Sequence, residues 1–353
     1  MKKVILLLFY CFSNISHSQN VNIPDANFKS ALLSNTSINT NADGEIQVSE
    51  AIAYSGAISV SNKNISDLAG IEAFTSITGL DCSSNQLTTL NVSSNPLLST
   101  LGCNNNQLAS LNISANTGLV NLVCGFNQLN GLSLSSNTAL TSVDCGNNNI
   151  TALNLSANTA LVTLSCYNNQ LTALNLTGLN DLKYVNCQQN QLGGLDVSGN
   201  TSVKEVRCYN NNLTTLNIKN GNNANFTGFF ATNNPGLVCI EVDNAAYMNA
   251  TWPGSKDASA SYNENCLAGV AEIGKNAGVF SVYPSPSSGI VTIDHSSKEE
   301  VKVQVYDILG NCIWKKDQKV KEIKIDLGFA PKGVYFLEME SAGKKTVKRL
   351  ILE

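Results

Sequence analysis

The chain has 353 residues, with 22 Lys and Arg against 26 Asp and Glu, for a formal net charge of −4. Only 14% of the residues are charged while 43% are hydrophobic. This polar but largely uncharged composition suits an extended solenoid better than a compact cytosolic enzyme. It has no basic excess of the kind that nucleic-acid-binding proteins usually need, so no nucleic-acid partner is predicted.

The N-terminal residues 1–18 have the pattern of a secretory signal peptide. Lys2 and Lys3 precede a nine-residue apolar segment, and small residues before Gln19 suit cleavage at that point. The apolar segment is too short to span a bilayer, and no later segment approaches its length. We therefore predict an exported protein that does not span the membrane.

Residues 19–57 are predicted to form an N-terminal cap, which begins with a short amphipathic helix over 23–33. The segment 39–50, NTNADGEIQVSE, resembles an EF-hand calcium loop, although the first position holds Asn where Asp is usual. The resemblance implies weak calcium binding, with a Kd of about 10⁻⁴–10⁻³ M. The alternative is an Asn- and Asp-rich turn that matches by accident. The implied ligands are Asn39, Asn41, Asp43, Glu45 through its carbonyl, and Glu50.

Seven cysteines at intervals of 21 residues define a repeat, which is the signature of a solenoid. They are Cys82, Cys103, Cys124, Cys145, Cys166, Cys187 and Cys208. Aligning on them gives the unit L-x-x-L-x-C-x-x-N-x-L-x-x-L-N-L-S-x-N-x-x. This unit resembles the leucine-rich repeat, and its two similar halves of 11 and 10 residues resemble the IRREKO subtype.

The repeat predicts stacked coils over residues 58–238. The segment around L-x-C alternates inward and outward like a short strand, so successive coils form a parallel sheet with strands about 4.8 Å apart. The buried Asn three residues after each Cys is predicted to bond the backbone of the turn. A zeroth coil is expected around Ile58, and a degenerate eighth unit contains Phe226, Phe229, Ala231 and Asn234.

The cysteines fall into two predicted classes. The seven in the repeat occupy a column for small buried apolar residues, and their number is odd, so we predict inert buried thiols. Cys239 and Cys266 flank the irregular segment 240–265 within a C-terminal cap, 239–268. They are predicted to form a disulfide.

A second domain follows a linker at 269–279. Thirteen of the 22 Lys and Arg lie beyond residue 270, and short β-rich runs separated by turns predict a small all-β sandwich over 280–353. The motifs YPSPSSG, VYDILG and APKGVYF and the end KRLI resemble the type A C-terminal sorting domain of the type IX secretion system. Ser285 stands where Asn is usual. The residues that carry the resemblance are Tyr283, Pro284, Pro286, Gly289, Tyr306, Asp307, Gly310, Gly333 and Tyr335.

The resemblance implies a type IX secretion machinery as partner, in a Gram-negative bacterium. It implies that the sorting domain is removed at the cell surface. The mature protein is then either released or attached to surface lipopolysaccharide, and the sequence leaves both outcomes open.

The repeat region offers little catalytic chemistry. Residues 19–270 contain no His, which argues against Ser-His-Asp or Cys-His catalysis and against His-ligated metals. Asp81 and Asp144 share a column but lie three coils apart, about 14 Å, beyond the range of a glycosidase acid/base pair. We predict a binding protein, not an enzyme, with no cofactor except weakly bound calcium.

The outward positions of the predicted sheet are mostly Ser, Thr, Asn and Gly, with a few large exceptions. Aromatic residues and Arg are typical interface anchors, so these exceptions predict a protein ligand and a role in adhesion. One alternative is a glycan stacked on the aromatic residues. Another is a structural surface or matrix component with no discrete ligand and merely scattered aromatics. The exceptions are Phe126, Tyr167, Tyr184, Glu205, Arg207 and Tyr209.

Overall fold

The computed structural model divides the chain into two compact units, Met1–Cys266 and Leu267–Glu353. Each unit has its own hydrophobic core. The predicted signal peptide, the linker at 269–279, Pro284 and Pro286 lie outside the described residues. Those described are 19–266, 280–283, 287–295, 300–308, 310–341 and 344–353.

The first unit is a solenoid whose main sheet has nine parallel strands, hydrogen-bonded in chain order. The central residue of each strand points into the core, as Leu101 and Val143 do. The zeroth coil, the seven regular coils and the eighth coil each supply one strand, so the predicted solenoid is confirmed. The strands are β1 (Ala57–Ser59), β2 (Gly79–Asp81), β3 (Thr100–Gly102), β4 (Asn121–Val123), β5 (Ser142–Asp144), β6 (Thr163–Ser165), β7 (Tyr184–Asn186), β9 (Glu205–Arg207) and β11 (Gly228–Phe230).

A second parallel sheet forms on the other half of the last coils. It contains β8 (Gly194–Asp196), β10 (Thr215–Asn217), β12 (Cys239–Glu241) and β13 (Ser261–Asn263). The expectation that 240–265 is irregular is therefore wrong in part, since this segment includes the helix α3 (Ala245–Thr251) as well as β-strand. Ile240 pairs with Leu216 on one side and Tyr262 on the other, so the inward apolar column simply continues through the cap.

The predicted Asn ladder is confirmed, and Asn190 shows how it works. Its Nδ2 donates to the carbonyl oxygens of Cys166, Cys187 and Gln188 at 3.0, 3.1 and 3.2 Å. Its Oδ1 accepts the backbone N–H of Leu171 at 3.0 Å. One buried amide thus satisfies backbone groups of two successive coils, which an apolar side chain could not do.

A second buried Asn ladder was not recognised from the sequence, although its Asn stands in the repeat unit. Asn116, for example, donates to the carbonyl oxygens of Val92 and Asn95 at 3.0 and 2.8 Å. These Asn residues tie each coil to the preceding one at its far turn. The fully buried members are Asn95, Asn116, Asn137 and Asn158.

The cysteines behave as predicted. All seven thiols of the repeat are buried and free. Burial raises the pKa of Cys145 to about 12, so its thiol stays protonated and unreactive near neutral pH. Cys239 and Cys266 form a disulfide with a Cα–Cα distance of 5.8 Å. This bond joins the start of β12 to the last residue of the unit.

The N-terminal cap contains two helices, α1 (Ala26–Leu33) and α2 (Val48–Ala53). The helix predicted over 23–33 begins three residues later because Asp25 is its N-cap, accepting the amides of Asn27 and Phe28 at 3.0 and 2.9 Å. The other oxygen of Asp25 accepts the amide of Ser66 at 2.8 Å. The same carboxylate therefore caps the helix and holds it against the first coil.

In the described part of the second unit, two antiparallel sheets share one core, as predicted for an all-β domain. One sheet has the order β14–β15–β18 and the other β17–β16–β19–β20. The strands are β14 (Phe280–Tyr283), β15 (Ile290–His295), β16 (Val301–Tyr306), β17 (Cys312–Gln318), β18 (Glu322–Asp326), β19 (Gly333–Ser341) and β20 (Lys344–Leu352).

Several motif residues of this unit have local structural roles. Asp307 accepts the backbone and side-chain N–H groups of Asn311, both at 2.9 Å, in the turn between β16 and β17. Gly310 in that turn has a φ of +85°. The hydroxyl of Tyr335, at the start of β19, donates to the carbonyl of Pro331 at 2.6 Å. These motif residues therefore stabilise the turns between strands.

Candidate binding face of the main sheet

The outward residues beside each strand of the main sheet form columns along the solenoid. The six residues predicted as a ligand-binding face fall in these columns, and five of them separate into two groups. Phe126 and Tyr167 lie on the middle coils. Tyr184, Glu205 and Arg207 lie on β7 and β9 towards the C-terminal end.

The first group, together with Gly146 and Asp144, is called the aromatic corner. The rings of Phe126 and Tyr167 have centroids 6.5 Å apart and planes at 73°. They belong to coils two apart, and the coil between them carries Gly146. A Cβ atom at Gly146 would overlap the Tyr167 ring, so the ring lies over a position that only glycine leaves free.

Phe126 occupies an unusual backbone position. Its φ is +54°, in a column of left-handed residues that otherwise holds only Asn, Gln and Ser. A left-handed backbone costs roughly 1–2 kcal/mol for an ordinary residue, and Asn tolerates it better. Half of the Phe126 surface is exposed, so its ring adds little to the core. Neither the turn nor the core explains this aromatic residue. The other members of the column are Asn62, Ser84, Asn105, Asn147, Asn168, Gln189, Asn210 and Asn233.

Asp144 is half-buried and lies near Tyr167, whose pKa is raised by desolvation and by the negative charge of Asp144. Its Oδ1 accepts the amide of Gly146 at 3.0 Å. Desolvation by burial raises the pKa of Asp144 above its ordinary value. Residues 64–182 contain no Lys or Arg, so the surrounding coils provide no basic side chain to balance this carboxylate. The repeat pattern shows only that Asp144 shares a column with Asp81, and it gives no sign of this setting.

We expect Asp144→Asn to raise the stability of the protein slightly at pH 7. The raised pKa means that the folded state holds the proton more tightly, so stability falls as pH rises from the ordinary value of 3.8 through the folded-state pKa. Asn keeps an acceptor for the Gly146 amide without the charge. Thermal melts should show the gain at pH 7 and not below pH 3.8. Asp81→Asn is the control, since Asp81 is already bonded to Ser83; an equal gain there would contradict this account.

The second group is called the arginine patch and comprises Tyr184, Glu205, Arg207 and Phe230. Arg207 Nε pairs with Glu205 Oε1 at 2.5 Å, and its guanidinium carbon lies 5.2 Å from the centroid of the Phe230 ring. Tyr184 is directly opposite Glu205 on the neighbouring strand. Tyr184 and Phe230 are 42% and 40% exposed, so the patch presents two aromatic surfaces beside a fixed charge pair.

Phe230 was not among the predicted face residues, although the sequence contains the signal for it. Because Phe229 and Ala231 were placed inward, strand alternation puts Phe230 outward, next to Arg207 in the same column. The predicted residue Tyr209 is half-buried and lies two coils beyond Tyr167 in its column. The structure describes no ring contact between Tyr209 and either group.

The EF-hand-like loop is held by its own hydrogen bonds. Asp43 Oδ2 accepts the side-chain amides of Asn41 and Gln47 at 3.0 and 2.8 Å. Glu50 Oε1 accepts the amide and hydroxyl of Thr40, both at 2.8 Å. The side chain of Glu45 pairs with Lys29 at 2.6 Å.

These side chains, as placed, do not form a calcium cage. Within the described residues, no group of three or more His, Cys, Asp or Glu is arranged to hold a metal ion. Two features nevertheless agree with the resemblance, since Gly44 has a φ of +84° and the buried Oδ1 of Asn39 accepts no hydrogen bond from the described residues. An ion would have to displace the donors that now bind Asp43.

Weak calcium binding therefore stays a prediction. With a Kd of about 1 mM, about 10 mM calcium stabilises the folded state by about 1.4 kcal/mol. We expect calcium to raise the melting temperature of the wild type, with magnesium as the control salt, and to have no effect on Asp43→Ala. Equal shifts in the two proteins would show that the effect does not arise at this loop.

Comparison with known proteins supports the assignment of the C-terminal unit. Residues 281–353 match the family model described as the secretion system C-terminal sorting domain, which confirms the predicted sorting domain. A comparison with curated proteins gives no match. No helix in the described parts of the chain has the length and apolar character required to cross a membrane.

Similar solved structures include three bacterial proteins. The functional domain of InlJ from Listeria monocytogenes, described as including a cysteine ladder, is 19% identical, with 95% of this chain and 98% of that chain covered and a TM-score of 0.38. Internalin C2 from Listeria monocytogenes is 21% identical, with 52% and 93% covered and a TM-score of 0.41. YopM, a leucine-rich effector protein from Yersinia pestis, is 21% identical, with 63% and 61% covered and a TM-score of 0.46.

Proposed function

We propose that this chain is a binding protein of the cell surface or extracellular space, whose main sheet contacts a protein partner in adhesion. It reaches that place through the Sec signal peptide and then type IX secretion, in a Gram-negative bacterium. The sorting domain at 281–353 supports export. The absence of His from residues 19–270 supports binding over catalysis.

The arginine patch is the observation that carries the proposal. Tyr and Arg are the residues most often responsible for the affinity of protein interfaces. Here Arg207 is held in place by Glu205 and by the Phe230 ring, so little side-chain freedom remains to be lost on binding. Tyr184 stands beside it on a face whose outward residues are mostly small and polar.

Glycan binding is the second candidate, and the Tyr167 ring favours it. The ring lies over Gly146 at the surface of the sheet, in the manner of a stacking platform for a sugar. Capture of a protein partner requires the arginine patch, whereas capture of a glycan would depend on Tyr167 without the arginine patch.

The test is capture by the chain from Gln19 onward on host cells, matrix proteins and a glycan panel. The variant Tyr184→Ser, Arg207→Ser, Phe230→Ser should lose protein capture. The control Leu97→Ser, Val238→Ser removes exposed apolar side chains that lie outside the main sheet and should keep it. Glycan capture that depends on Tyr167 would select the second candidate, and no capture at all would overturn both.

A further inference from the structure

We propose that the aromatic corner is a binding site for a basic side chain, Lys or Arg, presented by the protein partner. The inference rests on the proposed function and specifies the chemistry of the partner. It concerns Phe126, Asp144, Gly146 and Tyr167, which lie apart from the arginine patch.

The rings of Tyr167 and Phe126 stand at a steep angle to each other. Tyr167 lies over Gly146, and Phe126 stands at 73° to it with a centroid distance of 6.5 Å. A cation is attracted to the face of an aromatic ring within about 6 Å of its centroid. Two rings at a steep angle can therefore both contact one ammonium or guanidinium group, whereas they cannot both stack on one flat sugar ring.

Asp144 provides the charge that selects a cation. Its carboxylate is half-buried and accepts the Gly146 amide. The four ion pairs among the described residues involve other carboxylates. Since residues 64–182 contain no Lys or Arg, the coils around Asp144 supply no matching positive charge, and a basic side chain of the partner would supply it. An apolar ligand would bury the carboxylate further without compensation.

The backbone conformation of Phe126 indicates that the stability of the fold does not explain why an aromatic residue stands in the aromatic corner. Eight other described residues fill the same left-handed column, and all are Asn, Gln or Ser. A bulky aromatic residue in this conformation breaks the local rule, and such departures concentrate at functional sites. Replacing Phe126 by Asn restores the residue type of the column and should leave the fold intact.

The probe is the peptide acetyl-Lys-Lys-Lys-amide, titrated into the full chain from Gln19 onward. The same peptide acetylated at each Nζ is the neutral control, and binding is followed by nuclear magnetic resonance of the Phe126 and Tyr167 rings. Wild-type protein should bind the basic peptide about tenfold more tightly than the acetylated one, which corresponds to about 1.4 kcal/mol. Asp144→Asn and Phe126→Asn should each lower the affinity for the basic peptide about tenfold.

Stability measurements separate recognition from structure. Asp144→Asn and Phe126→Asn should lose binding without a lower melting temperature. Gly146→Ala displaces the Tyr167 ring and should also lose binding. The triple variant of the arginine patch should bind the peptide normally. If the protein binds the peptide but captures neither cells nor matrix proteins, the proposed function is contradicted. The assignment of the aromatic corner as a site for a basic side chain is then still supported.

Several results would overturn the inference. Equal affinity for the basic and acetylated peptides would show that the positive charge of the peptide does not contribute to binding. Equal affinity of the wild type and Asp144→Asn for the basic peptide would show that the Asp144 carboxylate does not contribute to binding. Ring shifts with a cello-oligosaccharide and none with the lysine peptide would assign the corner to a glycan.

Discussion

Replacing Asn190 by Ala is expected to lower the free energy of unfolding by about 3 kcal/mol or more. The substitution removes the acceptor for the Leu171 amide and the donor for the carbonyls of Cys166, Cys187 and Gln188. A buried polar group left without a partner costs about 1–3 kcal/mol. Because these groups belong to two coils, the loss weakens the stacking of both. Denaturant unfolding of the full chain measures the effect.

Gln191→Ala is the matched control for this prediction. Gln191 is the next residue, and its side chain is exposed, so we expect a change within about 0.5 kcal/mol. Similar losses in the two variants would mean that the backbone preferences of the residues in this turn, and not the buried amide, determine its stability. A negligible loss in Asn190→Ala would show that water replaces the amide at this position.

The register of the solenoid was predictable because Cys stands at the same position in each of the seven regular coils. The Cys column fixes which residues point inward, and alternation then fixes their neighbours; Phe230 follows from this rule even though it was overlooked. The second sheet was harder to predict, since its inward Leu column runs through all the regular coils, whereas strands form on it only in the last ones, as at Leu195 and Leu216. It became visible only through the continuation of the apolar column from Leu216 to Ile240 and Tyr262.

The aromatic corner could be predicted only in part. The sequence shows that Phe126 and Tyr167 are exceptions in their columns. It does not show that the Tyr167 ring lies back over Gly146 towards Phe126, since that depends on a side-chain rotamer and on a glycine one coil away. The setting of Asp144 likewise depends on its burial, and sequence spacing does not report burial. The start of α1 was missed for a simpler reason, because the capping role of Asp25 outweighs the apolar pattern that precedes it.

The largest effect in the C-terminal part of the solenoid is expected from the double substitution Cys239→Ser, Cys266→Ser. The disulfide closes a loop with a sequence separation of 27, for which loop entropy predicts about 3–4 kcal/mol. The loop contains β12, α3 and β13, which cover the last coil. Its loss should therefore open the cap before the central coils, because each coil is stabilised mainly by its neighbours.

Limited proteolysis measures the opening of the cap, and denaturant unfolding measures the loss in free energy of unfolding. The double variant should be cleaved within 239–266 under conditions that leave the wild type intact, and it should also unfold at lower denaturant concentration. Cys312→Ser is the control, since Cys312 is an exposed free thiol of the second unit and its removal leaves the cap unchanged. Unchanged cleavage in the double variant would mean that the inward column through Ile240 and Tyr262 holds the cap closed without the covalent bond.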